Sequence, residues 1–356
     1  MTFFSRLRGL LGGALICAAL PMAAQAAGHP QPVEGDWVAP TFEFQNGQVL
    51  ERLRLHYVTI GDPANPAVLV LHGTYQAATA MLRPEFAGEL FGPGQPLDAS
   101  RYFIVIPDGI GVGKSTKPSD GLRAAFPQYN YADMVQAQYR MVTEGLGIRH
   151  LRLIIGNSMG GMQTWLWGGM YPDFADALVP MASQPSEMAG RNWLMRRMLV
   201  ESIRQDPAWN GGNYTTQPPS LRLANNMFIF GTNGGTLAYS QIAGNHAQAD
   251  KLVDDRLAAP VTADANDFIY QWGSSADYTA MPGLSKIKVP VLAINSADDE
   301  RNPPETGLLR DALKDVPSAR LLLIPASTAT SGHGTTGHAR FYARELDQFI
   351  KALPAR

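Results

Sequence analysis

From Leu151 to Met170 the chain reads as an apolar strand, Leu151-Arg152-Leu153-Ile154-Ile155. It runs into Gly156-Asn157-Ser158-Met159-Gly160-Gly161 and then into a helical stretch from Gly160 to Met170. No other segment limits the fold so tightly. G-x-S-x-G by itself says little in a chain with 35 glycines. Set between a strand and a helix, it describes a sharp turn that pushes the serine hydroxyl out above a sheet. The flanking glycines remove side chains that would block such a turn. The N–H groups that open the helix can stabilise a developing oxyanion. The competing reading is an ordinary βα turn with a buried serine.

The rest of the chain supplies a sheet for that turn to stand on. Leu53–Ile60 alternates like a strand. The short apolar runs Ala67–Leu71, Tyr102–Ile106, Ala177–Met181, Val289–Asn295 and Arg320–Ile324 suit strands covered on both faces. Met134–Leu146 has helical spacing, a last helix is expected over 339–353, and Gly28–Pro40 reads as an extended lead-in. Between about Gln184 and Leu284 the pattern changes to Met, Trp, Asn and Gly with helical stretches such as Arg191–Gln205, broken at 210–213 and 231–235. The expectation is an α/β architecture with a mostly parallel sheet and helices on both faces. Its core comprises 33–183 and 285–356, and a helical cap of 184–284 covers the sheet edge where ligands bind.

Residues 1–26 look like a secretion signal: Arg6 and Arg8, an apolar run from Leu10 to Leu20, then Ala24-Gln25-Ala26. The run is too short for a permanent membrane span, and a periplasmic or secreted protein is expected. Cys17, the only cysteine, lies inside it, so the mature chain is expected to hold no disulfide and no thiolate metal site. The formal net charge of −2 gives no reason to expect nucleic acid or an anionic membrane as partner.

A serine hydroxyl needs a base to attack, and the base needs an orienting acid. After this turn both are expected downstream, acid first. His246 falls in the cap. His333 stands in the loop Ser331-Gly332-His333-Gly334 beyond the last strand and is assigned the base, with His338 as its rival. A metal held by His333 and His338 is not supported, since a spacing of five does not put both on one helix face. The acid comes from Asp298-Asp299-Glu300-Arg301-Asn302-Pro303. Asp299 is preferred over Asp298, the unused carboxylates being read as loop surface paired with Arg301. For the oxyanion, Met159 N–H is one donor and Thr74 the other, with Tyr75 the alternative; neighbouring His72 is read as shaping the loop. Gly113-Lys114-Ser115 imitates a phosphate loop, but Asp108 stands where that pattern needs glycine, so its glycines are read as a loop beside the pocket. No cofactor is expected. Trp193, Trp209, Trp272 and Tyr278 are equally suited to lining the pocket and to packing the core.

The chain resembles the α/β-hydrolase superfamily and, within it, the homoserine O-acetyltransferase family. Phe126-Pro127, Asp133 to Gln138, Leu146-Gly147-Ile148, Ser158 to Gln163, Tyr171-Pro172, Asp206 to Trp209 and Gly212-Asn213-Tyr214 carry the likeness. The resemblance implies an α/β-hydrolase fold, an acyl-enzyme on the serine and a homodimer. Three positions depart from it. Gly334 stands where the family has Asp, Asn225 where it has the Arg of an L-A-R motif, and Thr232 at the place of a cap Tyr. Charged partners for a zwitterionic amino acid are then missing, and acetyl-CoA is not expected in an exported compartment. The sequence therefore points to a serine hydrolase acting on a small-molecule carboxylic ester. The alternatives are an acyltransferase with the same triad and a non-catalytic binding protein on the same fold.

Overall fold

The computed structural model describes residues 28–354. The expected secretion signal and Cys17 lie outside the described residues. Eight strands form one sheet: β1 (Val33–Glu43), β2 (Val49–Ile60), β3 (Ala67–Leu71), β4 (Phe103–Pro107), β5 (Leu151–Asn157), β6 (Leu178–Met181), β7 (Val291–Ser296) and β8 (Ala319–Ile324). Their order is β1-β2-β4-β3-β5-β6-β7-β8. The pairs from β4 to β8 are parallel, while β2 is antiparallel to both β1 and β4.

The central strands are apolar throughout because both faces are covered. All five residues of β3 are buried. Successive side chains point to opposite faces. Leu69 and Leu71 enter the layer that holds Trp165 and Trp167 of the elbow helix Met159–Met170. Val68 and Val70 enter the other layer, with Phe349 and Ile350 of the C-terminal helix Ala343–Lys351. Each such aliphatic side chain contributes about 1.5–3 kcal/mol on burial.

Three sequence readings of the core elements need correction. The stretch read as an extended lead-in is largely strand β1, registered on β2 with Trp37 opposite Leu55. Pro40 is tolerated there because β1 lies at the sheet edge. The helix expected from Met134 begins at Tyr131, where Asn130 and Asp133 exchange side-chain-to-backbone hydrogen bonds of 2.9 and 3.0 Å. It ends as an α-helix at Arg140 and widens into a π-turn over Met141–Gly145. The final helix starts at Ala343, after a short 3-10 turn over Ala339–Phe341.

Between β6 and β7 the chain leaves the sheet for a helical segment. Its helices are Gly190–Arg204, Ser220–Thr232, Thr236–Ile242, His246–Ala258 and Ala265–Gly273. Gly231 continues a helix rather than breaking one. The segment has an apolar cluster of its own, including Ile203, Leu221, Phe228, Phe268 and Trp272. Among the described residues no helix is long and apolar enough to cross a membrane.

Candidate active site

Ser158 sits between β5 and the elbow helix with φ 56° and ψ −112°, a backbone conformation that side-chain-bearing residues rarely adopt. The turn is held from both sides. Ser158 N–H donates to Met181 O at 2.9 Å, and Gly160 N–H donates to His72 O at 3.0 Å. The motif's glycines are required by close approach. A Cβ on Gly156 would lie 2.1 Å from Gly160 O, and one on Gly160 would lie 2.3 Å from Leu71 O.

His333 arrives from the loop after β8, in a short 3-10 turn over Gly332–Gly337. Ser331 N–H donates to Thr335 Oγ1 at 2.9 Å, and Thr336 Oγ1 donates to Asn157 Oδ1 at 2.6 Å, tying the loop to the elbow. His333 Nε2 is 2.8 Å from Ser158 Oγ, and its Nδ1 is 2.9 Å from Asp299 Oδ2. An ionised carboxylate can only accept, so Nδ1 carries the proton and Nε2 is free to accept from Ser158. Burial lowers the pKa of His333 below its ordinary value, and the Asp299 charge opposes this only in part.

Asp299 is buried at the end of β7. It accepts Arg301 N–H at 2.8 Å and Asn302 Nδ2–H at 3.0 Å. Burial pushes its carboxyl up, but His333 and these donors outweigh that and hold it below the usual carboxylate range. Asp298 does not reach the imidazole. It accepts Thr330 Oγ1–H at 2.7 Å and Gly332 N–H at 3.2 Å, and Ser296 Oγ also donates to it, so it fastens the loop that carries His333. Glu300 accepts Gly235 N–H at 3.1 Å. These carboxylates are therefore not a solvated surface paired with Arg301; no ion pair joins Arg301 to them within 4.0 Å. Nor do the other histidines join the serine. His246 is fully exposed on the cap, and His338 lines the cavity without a hydrogen bond to Ser158 or Asp299.

The loop after β3 abuts Ser158: a Cβ on Gly73 would lie 3.6 Å from Ser158 Cβ. Tyr75 N–H is directed at Gln271 Oε1, 3.4 Å away, and Gly73 N–H donates to Gln76 Oε1 at 3.1 Å. Thr74 N–H makes no hydrogen bond among the described residues, and the Thr74 hydroxyl is buried without a partner. Met159 N–H opens the elbow helix beside the serine. His72 is neutral by its contacts. Gly109 N–H donates to its Nε2 at 2.9 Å, so Nδ1–H donates to Gly73 O at 2.8 Å. Burial disfavours its charged form. It shapes the loop.

Residues 66–328 match the model of the alpha/beta hydrolase fold family. The chain belongs to the α/β-hydrolase family. It is 33% identical over 248 residues to the homoserine O-acetyltransferase of Solidesulfovibrio magneticus, covering 63% of this chain and 59% of that protein. It is 31% identical over 309 residues to the homoserine O-acetyltransferase of Trichormus variabilis, covering 77% of this chain and 83% of that one. Among solved structures it resembles an acetylester hydrolase from Corynebacterium glutamicum, with a TM-score of 0.77, 20% identity, and coverage of 90% and 96%. At that identity the last likeness concerns the fold alone.

The helical segment and the sheet edge together enclose a cavity, with Leu221, Asn226 and Trp272 of the segment on its wall. Its volume is about 750 Å³, and Ser158, His333, Thr74 and Asn157 form its floor. Two of the three departures from the transferase pattern, Gly334 and Asn225, line it. Thr232, the third, lies beneath the wall, its hydroxyl donating to Phe228 O at 2.6 Å. Of the four aromatic candidates only Trp272 lines the cavity. Tyr278 packs in the main core with its hydroxyl on Gln184 O, Trp193 packs against that core, and Trp209 bonds Asn266 within the cap. The Gly113 loop turns away from the cavity, and Asp108 accepts Lys114 N–H there at 2.8 Å. Asn302, and Arg301 as more than a partner for the loop carboxylates, are parts of the site that no sequence pattern singled out. The only signal was the density of polar residues after Asp299.

Proposed function

We propose that this chain is a serine hydrolase that cleaves a carboxylic ester through an acyl-enzyme on Ser158. The unbroken run of hydrogen bonds from Ser158 Oγ through His333 to Asp299 carries the reading. His333 Nε2 takes the serine proton as Oγ bonds to the ester carbonyl carbon. Asp299 holds the imidazole in the reactive tautomer and stabilises its cation. Thr74 and Met159 N–H groups hold the oxyanion. The C–O bond to the alcohol then breaks, and His333 gives that oxygen its proton. Water, deprotonated by His333, attacks the acyl carbon and releases the acid and the free serine.

Transfer to an alcohol acceptor uses the same acyl-enzyme, and the sequence relatives named above favour it. Hydrolysis is preferred because, among the described residues, the cavity offers no carboxylate for the ammonium of an amino acid. Gly334 and Asn225 occupy the places where the resemblance calls for charged residues. Export is part of the proposal and is tested by N-terminal sequencing of the protein recovered outside the cytoplasm. The dimer implied by the resemblance is tested by sedimentation. The deciding assay supplies p-nitrophenyl esters, then acetyl-CoA with homoserine. Ser158-dependent ester hydrolysis without homoserine acetylation supports the proposal. Acetylation without hydrolysis overturns it in favour of the transferase.

A further inference from the structure

The cavity over Ser158 carries charge of one sign. Arg83, Arg222, Arg256 and Arg301 line it, and among the described residues no Asp or Glu does. A concave site lined by one sign of charge concentrates ligands of the other. Three of the arginines are exposed at the rim. Arg83 Nε donates to Ala80 O at 3.1 Å, Arg222 donates to Leu257 O at 2.6 Å, and Arg256 lies 5.8 Å from the Phe230 ring centroid.

Arg301 is different in kind. It stands two residues after Asp299, and its own N–H donates to that carboxylate at 2.8 Å, so its backbone is fixed relative to His333. Its guanidinium lies 4.6 Å from the Phe228 ring centroid and 5.7 Å from that of Trp272. Nε donates to Thr232 Oγ1 at 3.2 Å, and the two terminal nitrogens make no hydrogen bond or ion pair with a described residue. Burial, and then the neighbouring guanidinium of Arg196, disfavour the charge of Arg301; Asp299 and Glu300 offset part of this. The Asp299 carboxylate is already engaged by His333. Arg301 is half-buried, and a guanidinium partly withdrawn from water without a paired anion carries a cost of which aromatic faces recover only about 1–2 kcal/mol. Its free planar edge is the shape that grips a carboxylate with two parallel hydrogen bonds.

We propose that Arg301 is the carboxylate-recognising residue of this cavity, so that the ester opened at Ser158 carries a carboxylate and no ammonium group. The inference rests on the proposed ester chemistry. An amino acid would bring an ammonium group to a wall that holds arginines and no acid. A simple hydroxy-acid ester or a half-ester of a dicarboxylic acid would not.

The test compares size-matched esters on the wild-type protein. On the alcohol side, 4-acetoxybutyrate is set against butyl acetate. On the acyl side, mono-p-nitrophenyl glutarate is set against p-nitrophenyl valerate. A preference for the carboxylate member on the order of 100-fold in kcat/KM is expected in one pair, and that pair tells which side carries the charge. The ratio collapses in Arg301→Gln and partly returns in Arg301→Lys. Equal or better turnover of the neutral member in both pairs, or an unchanged ratio in Arg301→Gln, overturns the proposal. Calorimetric titration of Ser158→Ala with glutarate gives a readout independent of turnover: binding is expected, and its loss when Arg301→Gln is added. Tighter binding of inorganic phosphate than of glutarate assigns the arginines to a phosphate-bearing acyl donor and also overturns the proposal. If no ester is turned over through Ser158, the ester chemistry fails, while the glutarate titration still decides the role of Arg301.

Discussion

Ser158, Asp299 and His333 stand on turns that follow β5, β7 and β8. The residues facing them across the cavity, among them Asn225, Asn226 and Trp272, stand on helices of the segment between β6 and β7. The first group is fixed by backbone: strand ends, a strained turn and loops sewn to each other by hydrogen bonds. The second is fixed by side-chain packing in a separate small apolar cluster. In the proposed reaction one region defines the bond that is attacked, and the other defines which molecule presents it. A likeness in the first can therefore persist while the second changes its ligand.

Substitutions can pull the two regions apart. The largest effect is expected from Ser158→Ala. It should lower kcat on p-nitrophenyl esters by about 10⁴-fold or more and abolish fluorophosphonate labelling while the melting temperature stays close to that of the wild type. Next, Asp299→Asn should cost about 10³–10⁴-fold in kcat. Asp298→Asn should cost far less and act mainly by loosening the base loop, seen as faster amide exchange at Gly332. Equal losses at both positions would show that the two carboxylates share one role. On the other side of the comparison, Phe228→Ala should destabilise the cap by about 3–5 kcal/mol, measured by urea unfolding, while the isolated steps at Ser158 remain labelable below the transition.

A pH profile separates the regions more gently. The general base must be neutral, and burial holds the His333 pKa below the ordinary 6.5. The acid limb of kcat/KM should therefore fall away only below that value, and a limb centred above it would contradict the buried, hydrogen-bonded imidazole. The smallest effect lies at the joint between cap and core. Asp267 accepts Ser119 Oγ–H at 2.6 Å, and burial pushes its pKa up to about 6. A raised carboxyl pKa means that the folded form holds the proton more tightly. Its contribution to stability is thus present below the unfolded value near 3.8 and is lost as pH rises through about 6. Asp267→Asn should gain on the wild type by a degree or two in Tm between pH 4.5 and 7.5.

The same contrast explains what could be read from the sequence. The parallel strands and the elbow were legible because burial on both faces demands unbroken apolar runs, and a strand-to-helix turn demands small neighbours. That Ser158, His333 and Asp299 would be neighbours could be expected because such a turn sets the order of its partners along the chain. Strand β1 was hidden because an edge strand tolerates Pro40 and has one face open to solvent. The start of the helix at Tyr131 was missed because its signal is the Asn130/Asp133 exchange, which leaves no apolar periodicity. Arg301 was misread as a partner for acids, since nothing in Asp-Asp-Glu-Arg-Asn reveals that the arginine turns toward two aromatic rings. That contact joins segments some 70 and 30 residues apart in the chain.

Strands β6 and β7 are neighbours, with Met181 opposite Ile294. Because the two strands are parallel, the segment departs at Met181, the C-terminal end of β6, while the chain re-enters the sheet at Val291, beside Leu178, roughly 11 Å away once three rises of about 3.3 Å and one strand spacing of about 4.8 Å are combined. The return stretch, with Tyr278, Leu284 and Ile287 in the main core, carries the chain back along the sheet, whereas the helical portion that packs in its own apolar cluster behaves as an exchangeable module. It can be lengthened, shortened or replaced by recombination without moving a strand, and a graft across those two strands would carry ligand preference from one scaffold to another.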